Sequence, residues 1–197
     1  VNFPRTYVGG YPQGEEYTAS MVRYMKEREK YNLFYRAEVT HSQTLNDGAL
    51  NNYNGISTFT SSANVKVTEF MASLGYGAKN TYNRYCYEDS SPIANLFLNL
   101  KYMIDRDGTS LNNHYFKEVS TSGNVHLLEN QAYLPLGFLT NAQILNLKFT
   151  EDSNRFQFQN NIMAAATGIT KNNFNVLSGY CLTIMGTDLT LHSQNQT

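Results

Sequence analysis

No run of apolar residues in the chain approaches the ~20 that a membrane-crossing helix needs. The start, Val1 to Gly10, with Arg5 its one basic residue, is neither basic overall nor followed by the apolar stretch of a secretory leader. The sequence as it stands therefore reads as water-soluble, and its abrupt start at Val1 suggests a segment of something longer. Charge is scarce. Only 16% of residues are charged, and 15 Lys+Arg against 16 Asp+Glu leave a net charge of −1 with no basic cluster, so no nucleic-acid partner is expected. The two cysteines, Cys86 and Cys181, form no C-x-x-C pair, which argues against a zinc ribbon or a thioredoxin-type site and leaves a disulfide between them open. His41, His114, His126 and His192 show no H-x-x-x-H or H-E-x-x-H spacing, and neither a metal site nor a cofactor is expected. G-x-S-x-G and G-x-x-x-x-G-K-[ST] are absent, so acyl transfer and P-loop chemistry lack their usual warrants. Tryptophan is missing as well, yet 24 Asn, 15 Tyr and 11 Phe describe a surface rich in uncharged hydrogen-bonding groups and aromatic faces, suited to contacting sugar.

Hydrophobic side chains make up 41% of the chain, enough for one sizeable core or two small ones. Tyr17 to Tyr31 places Met21, Tyr24, Met25 and Arg28 at helical spacing. Phe34 to Val39 alternates, with Tyr35, Ala37 and Val39 on one face and Phe34, Arg36 and Glu38 on the other, as in a half-buried strand. Ile56 to Thr60 reads as a second strand. A helix capped by Ser61 or Ser62 repeats Val67, Phe70, Met71 and Leu74 before Gly75 stops it. Another opens with Ser91 as cap and Pro92 at its first position, then shows Ile93, Leu96, Phe97 and Leu100. It runs into a strand over Lys101 to Ile104. Tyr115 to Ser120 and Val125 to Glu129, joined through Gly123, read as a β-hairpin. Leu134 to Thr140 suggests a further strand, Ile162 to Ala166 a short helix ended by Gly168, and Tyr180 to Met185 a last strand.

The fold class expected is mixed α/β (α+β). A central mixed sheet of about five strands, ending in a meander from Lys101 to Glu129, carries three or four packed helices, and a short β-rich tail follows. The polar stretch Thr150 to Gln159 is the best boundary. It divides an α/β domain, 1–150, from a linker, short helix and start of a β-rich region, 151–197.

Few residues offer chemistry. Asp105-Arg106-Asp107 follows a strand, where two carboxylates can hold a divalent cation against a diphosphate, but Asp107-Gly108 is equally a turn signal, and the turn reading is adopted. Gly75-Tyr76-Gly77 begins like a dinucleotide fingerprint but follows a helix and has Asn80 where a third glycine belongs. Glu15-Glu16 and Glu88-Asp89 read as solvated neighbours rather than an acid/base pair. The densest polar segment runs from Asn46 to Gly55. Its Asn and Gly residues suit a loop with left-handed backbone, the preferred reading. If the segment binds glycan, Asp47, Tyr53 and Asn54 are the candidate contacts.

Several stretches resemble one family in the same order. They are Asn46 to Leu50, Tyr53 to Ser61, Val67 to Tyr76, Ser91-Pro92 with Leu98 to Tyr102, Asn124 to Asn130 with Leu134 to Phe138, and Phe156 to Asn160 with Thr167-Gly168. Together they look like the extracytoplasmic region of the bacterial YfhO membrane-protein family, with Asn99-Leu100 standing where Gly-Val is commoner. The resemblance implies a polytopic membrane protein of the lipid-sugar-dependent glycosyltransferase type, acting on envelope glycans such as teichoic acid. This chain would be its outward-facing insert on the extracytoplasmic face of the bacterial membrane. The transmembrane portion of the same parent chain and cell-envelope polysaccharide would be its partners, and the catalytic groups would lie outside these residues. Three readings follow. The chain binds or positions an acceptor glycan, or it is a purely structural insert, or it is an autonomous metal-dependent transferase using Asp105 and Asp107.

Overall fold

The computed structural model describes residues 15–32, 34–77, 82–88, 91–108, 114–148, 154–169, 180–185 and 188–193. The first helix, α1 (Glu15–Arg28), buries Thr18, Met21, Val22 and Met25, one side of a 3.6-residue period. Tyr24, which the sequence placed on that side, is 38% exposed. The chain continues through β1 (Arg36–Val39), α2 (Asp47–Asn51), β2 (Thr58–Phe59), α3 (Val65–Leu74), β3 (Arg84–Tyr85) and α4 (Pro92–Phe97). Next come β4 (Leu100–Asp105), β5 (Phe116–Ser122), β6 (Val125–Asn130), a 3₁₀ turn over Ala142–Asn146, α5 (Arg155–Thr167), β7 (Tyr180–Met185) and β8 (Asp188–Ser193).

The architecture is mixed α/β. Its main sheet has four strands in the order β1-β4-β6-β5, and two smaller sheets pair β2 with β3 and β7 with β8. β1 runs parallel to β4, while β4 with β6 and β6 with β5 are antiparallel. The expected meander is therefore corrected, because β6 returns to fill the slot between β4 and β5. Side chains explain the choice. Val125, Leu127 and Leu128 of β6 are buried, whereas Lys117 and Glu118 of β5 are exposed, so the apolar strand takes the centre and the polar one the edge. The hairpin itself forms, turning through Gly123 and Asn124 with φ +58° at Gly123, as a tight Gly-first turn needs.

Both faces of the sheet are covered. On one, Met21, Val22 and Met25 of α1 meet Ala37, Val39, Tyr102, Ile104 and Leu127. On the other, Met71 and Leu74 of α3, Ala94 of α4 and Phe158 of α5 meet Leu100, Met103 and Leu128. Every residue of β4 is buried in consequence, and Glu38 of β1, read from sequence as part of a half-buried strand, is 1% exposed.

Local signals set several ends. Ser91 caps α4, accepting from the Ala94 N–H with Pro92 at the first position, and α3 stops at Gly75 with φ +101°. The cap of α3 is Asn64, whose side chain accepts from the Lys66 N–H, rather than Ser61 or Ser62. That later start turns Val67 outward, 44% exposed, and puts Thr68, Met71 and Leu74 on the buried stripe. Leu100 lies in β4 instead of closing the α4 stripe. Leu134 to Thr140 forms no strand, being held by the Leu134 N–H donating to the Leu96 carbonyl and by Phe138 against Phe97. The polar stretch read as a boundary contains the first turns of α5, which starts at Arg155 behind its Asn154 cap and sends Phe158 into the core. The last predicted strand is β7, and β8 pairs with it.

Candidate functional site

The Asn-rich segment after β1 folds back on itself. Asn52, with φ 61°, caps α2 in the left-handed region, and the Tyr53 N–H donates to the Gly48 carbonyl at 2.9 Å. Gly48 and Gly55 touch so closely that a Cβ on Gly48 would lie 2.8 Å from the Gly55 nitrogen, so only glycine lets the loop close here. Asn54 then holds the loop against β1. Its carbonyl accepts from the Ala37 N–H at 3.0 Å, and its Nδ2 donates to the Tyr35 carbonyl at 3.1 Å.

This arrangement leaves a cavity of about 260 Å³ between α1, the start of β1 and the loop. Lys26, Tyr35, Gly48, Ala49, Asn52, Tyr53 and Asn54 line it. Among the described residues Lys26 has no carboxylate partner. The cavity thus offers two aromatic rings, two side-chain amides and one ammonium, which can together hold a single polar, ring-sized group. Tyr53 contributes its ring only. Its hydroxyl is buried with no hydrogen-bond partner among the described residues, and burial, reinforced by the Glu38 and Asp47 carboxylates, pushes its pKa well above the usual phenol range.

The structure separates the three sequence candidates. Tyr53 and Asn54 share the cavity, but Asp47 does not line it. Asp47 is 1% exposed and faces inward, its Oδ2 accepting from the Gln43 N–H at 2.9 Å and pairing with Arg106 Nη1 at 3.0 Å. Arg106 is the residue between the two aspartates of the Asp105-Arg106-Asp107 run. Those aspartates build a turn. Asp105 Oδ1 accepts from the N–H groups of Asp107 at 3.1 Å and Gly108 at 2.7 Å, and Thr40 Oγ1 donates to both carboxylates. Among the described residues no three His, Cys, Asp or Glu side chains gather as a metal would require. Cys86 is a free thiol, and Cys181 lies in β7.

Sequence reasoning missed Lys26 and Tyr35, which reach the cavity from elements distant in the chain. It also missed Glu38, whose carboxylate accepts from the N–H groups of Ile56 and Ser57 at 2.8 Å each and of Val39 at 3.2 Å. Burial pushes this carboxyl above its ordinary range, and those N–H bonds pull partly against it. Its alternating strand gave no hint that both faces would be covered.

No helix among the described residues is long and apolar enough to cross a membrane. The class defined is a mixed α/β body with a small polar-aromatic cavity in the described part. Residues 5–196 match the family described as the bacterial membrane protein YfhO, and the chain belongs to that family. No curated protein and no solved structure matches it. The structure also accounts for Asn99, where the resemblance has glycine more often: φ there is +57°, which glycine and asparagine adopt readily. Gln159 and Asn160, at the end of the Phe156 to Asn160 stretch that resembles the family, are buried. Gln159 accepts from the Ser91 hydroxyl and donates to the Leu74 carbonyl, tying α5 to α4 and α3.

Proposed function

We propose that the chain is an extracytoplasmic domain of a polytopic bacterial membrane protein that transfers a sugar to an envelope glycan such as teichoic acid, and that it positions the acceptor. Family membership and the lack of a spanning helix among the described residues support a domain carried by a membrane protein. The cavity at Tyr53 and Asn54 carries the rest of the reading. At about 260 Å³ it falls below the ~300–1,000 Å³ of pockets that enclose a drug-sized ligand, so it suits one sugar unit held weakly. No residue of this chain is given a catalytic role. Titrating the chain with teichoic acid fragments should move the backbone amide resonances of Tyr53 and Asn54, and a flat response at millimolar ligand counts against the reading.

A structural insert is the second reading, favoured by the use of Asn54 and Asp47 for internal bonds to Tyr35 and Arg106. Replacing Asp47, Tyr53 and Asn54 by alanine together in the parent protein separates the two. Full transfer by a folded triple variant supports the structural role.

A further inference from the structure

Five arginines besides Arg28 lie among the described residues, and their hydrogen bonding divides them sharply. Arg23 donates to Ser20, Arg36 to the Leu98 carbonyl and Arg106 to Asp47, while Arg28 pairs with Glu129. Arg84 and Arg155 have no hydrogen-bond or carboxylate partner among the described residues, Arg155 only lying against the Phe156 ring at 5.1 Å. These two line one cavity of about 430 Å³, on the side of the sheet covered by α3, α4 and α5.

Different elements deliver them. Arg84 stands on β3, paired with β2, and Arg155 is the first residue of α5. Arg155 crosses the end of α3, with its Cδ 2.7 Å from where a Cβ on Gly75 would be, so the glycine that ends α3 also makes room for this side chain. Glu88 completes the wall. It has no ion pair with either arginine among the described residues and instead accepts a hydrogen bond from the Cys86 thiol at 3.3 Å. Burial and the Glu88 carboxylate push that thiol up to about 11, so at neutral pH it stays a protonated donor.

We propose that this cavity is an anion site for a phosphate ester that carries a neighbouring hydroxyl, the phosphate held between Arg84 and Arg155 and the hydroxyl donating to Glu88. Each guanidinium presents a fork of N–H donors that matches two phosphate oxygens, and two such forks line one cavity with no paired carboxylate among the described residues. The N-terminus of α5, thirteen residues long, adds to that field, although Asn154 already accepts from the Phe156 and Gln157 N–H groups. Glu88 sets selectivity, since it favours a ligand with a hydroxyl donor and repels one with a second anionic group. The site shares no lining residue with the Tyr53 cavity and does not depend on it.

Glycerol 3-phosphate and vesicles of phosphatidylglycerol present the same headgroup chemistry in free and lipid form. In the full 197-residue chain, either probe should shift the amide resonances of Gly75, Gly77 and Tyr85. Arg84→Gln and Arg155→Gln, both at exposed positions, should each weaken binding about tenfold while leaving the thermal midpoint in place. Response to glycerol 3-phosphate supports a free or polymer-borne ester. Response to phosphatidylglycerol vesicles alone, with none to phosphatidylcholine, supports a lipid headgroup. Glu88→Gln should raise affinity for inorganic phosphate and reduce the preference for glycerol 3-phosphate over it. Silence with both probes, or binding unchanged in both arginine variants, overturns the proposal.

Discussion

Replacing Glu38 by alanine should be among the most damaging single changes in the fold, although the residue sits in a strand of only four residues. Its carboxylate is the acceptor for the Ile56 and Ser57 N–H groups, which enter β2 without a ladder partner on that side. Alanine strands both donors. Each buried, unsatisfied amide costs about 1–3 kcal/mol, and relief from burying a carboxylate returns part of this, leaving a net loss of roughly 2–5 kcal/mol. For a chain of this size that lowers the thermal midpoint by roughly 5–15 °C. Glu38→Gln keeps one acceptor oxygen and should lose less than half as much. The pH dependence carries a definite sign. Because the folded carboxyl titrates above its ordinary value of 4.5, its contribution is fully present below that value and is lost as pH rises through the folded pKa. Wild type should therefore gain on Glu38→Gln as pH falls from neutral toward 4.5, measured by urea unfolding followed by circular dichroism. A loss under about 1 kcal/mol in Glu38→Ala, or a wild-type advantage that does not grow on acidification, refutes the reasoning.

Phe158→Ala should cost about 3–5 kcal/mol in urea unfolding, because its ring is 2% exposed and joins α5 to the core beneath α3 and α4. Asp47→Ala leaves the largely enclosed Arg106 side chain without its carboxylate, though still bonded to Thr18 and the His41 carbonyl, and should cost about 2–4 kcal/mol, with the Asp47→Ala, Arg106→Ala double variant losing less than the sum of the two singles. Tyr53→Phe removes a buried hydroxyl that has no hydrogen-bond partner among the described residues, so thermal stability should stay level or rise by up to about 1 kcal/mol. Glu29 behaves oppositely to Glu38: burial alone would raise its pKa, but hydrogen bonds from Lys101, Tyr102 and Asn32 hold it below 4.5. Its contribution is present at neutral pH and lost as pH falls below 4.5 through that depressed value, so acid titration of Glu29→Gln should show a shallower stability loss than wild type.

Signals written in one or two adjacent residues survived folding. Ser91-Pro92 opens α4, Gly75 and Gly168 end α3 and α5 with positive φ, and Gly123 turns the hairpin. Each acts through backbone geometry that needs no distant partner. What sequence left hidden depends on neighbours far along the chain. Asn64 outcompeted Ser61 and Ser62 as a cap, moving Val67 to the surface, and an apparently polar Arg155–Asn160 became helix because Phe158 and Gln159 find partners on α3 and α4. The order β4-β6-β5 follows from relative burial of two strands rather than from their spacing. At the candidate site the left-handed backbone at Asn52 was legible, but the segment read as a loop turned out to hold the helix over Asp47–Asn51, which its Asn and Gly content concealed. Asp47 looked like its neighbours in sequence, and only the arrival of Arg106 from β4's far end shows that it serves the interior.

The sheet order also dictates a sequence of events in time. Strands β5 and β6 meet through a two-residue turn, so this pair can close within microseconds of chain collapse. Arg36 and Leu100, by contrast, are brought together across α2, β2, α3, β3 and α4, and loop-closure entropy must be met before that pairing yields anything. Maturation should thus run backwards relative to synthesis, with the β5–β6 hairpin acting as the template onto which β4 and finally the earlier β1 are laid. During translation, β1 would wait as an unpaired edge until all four strands of the main sheet, through Asn130, had emerged.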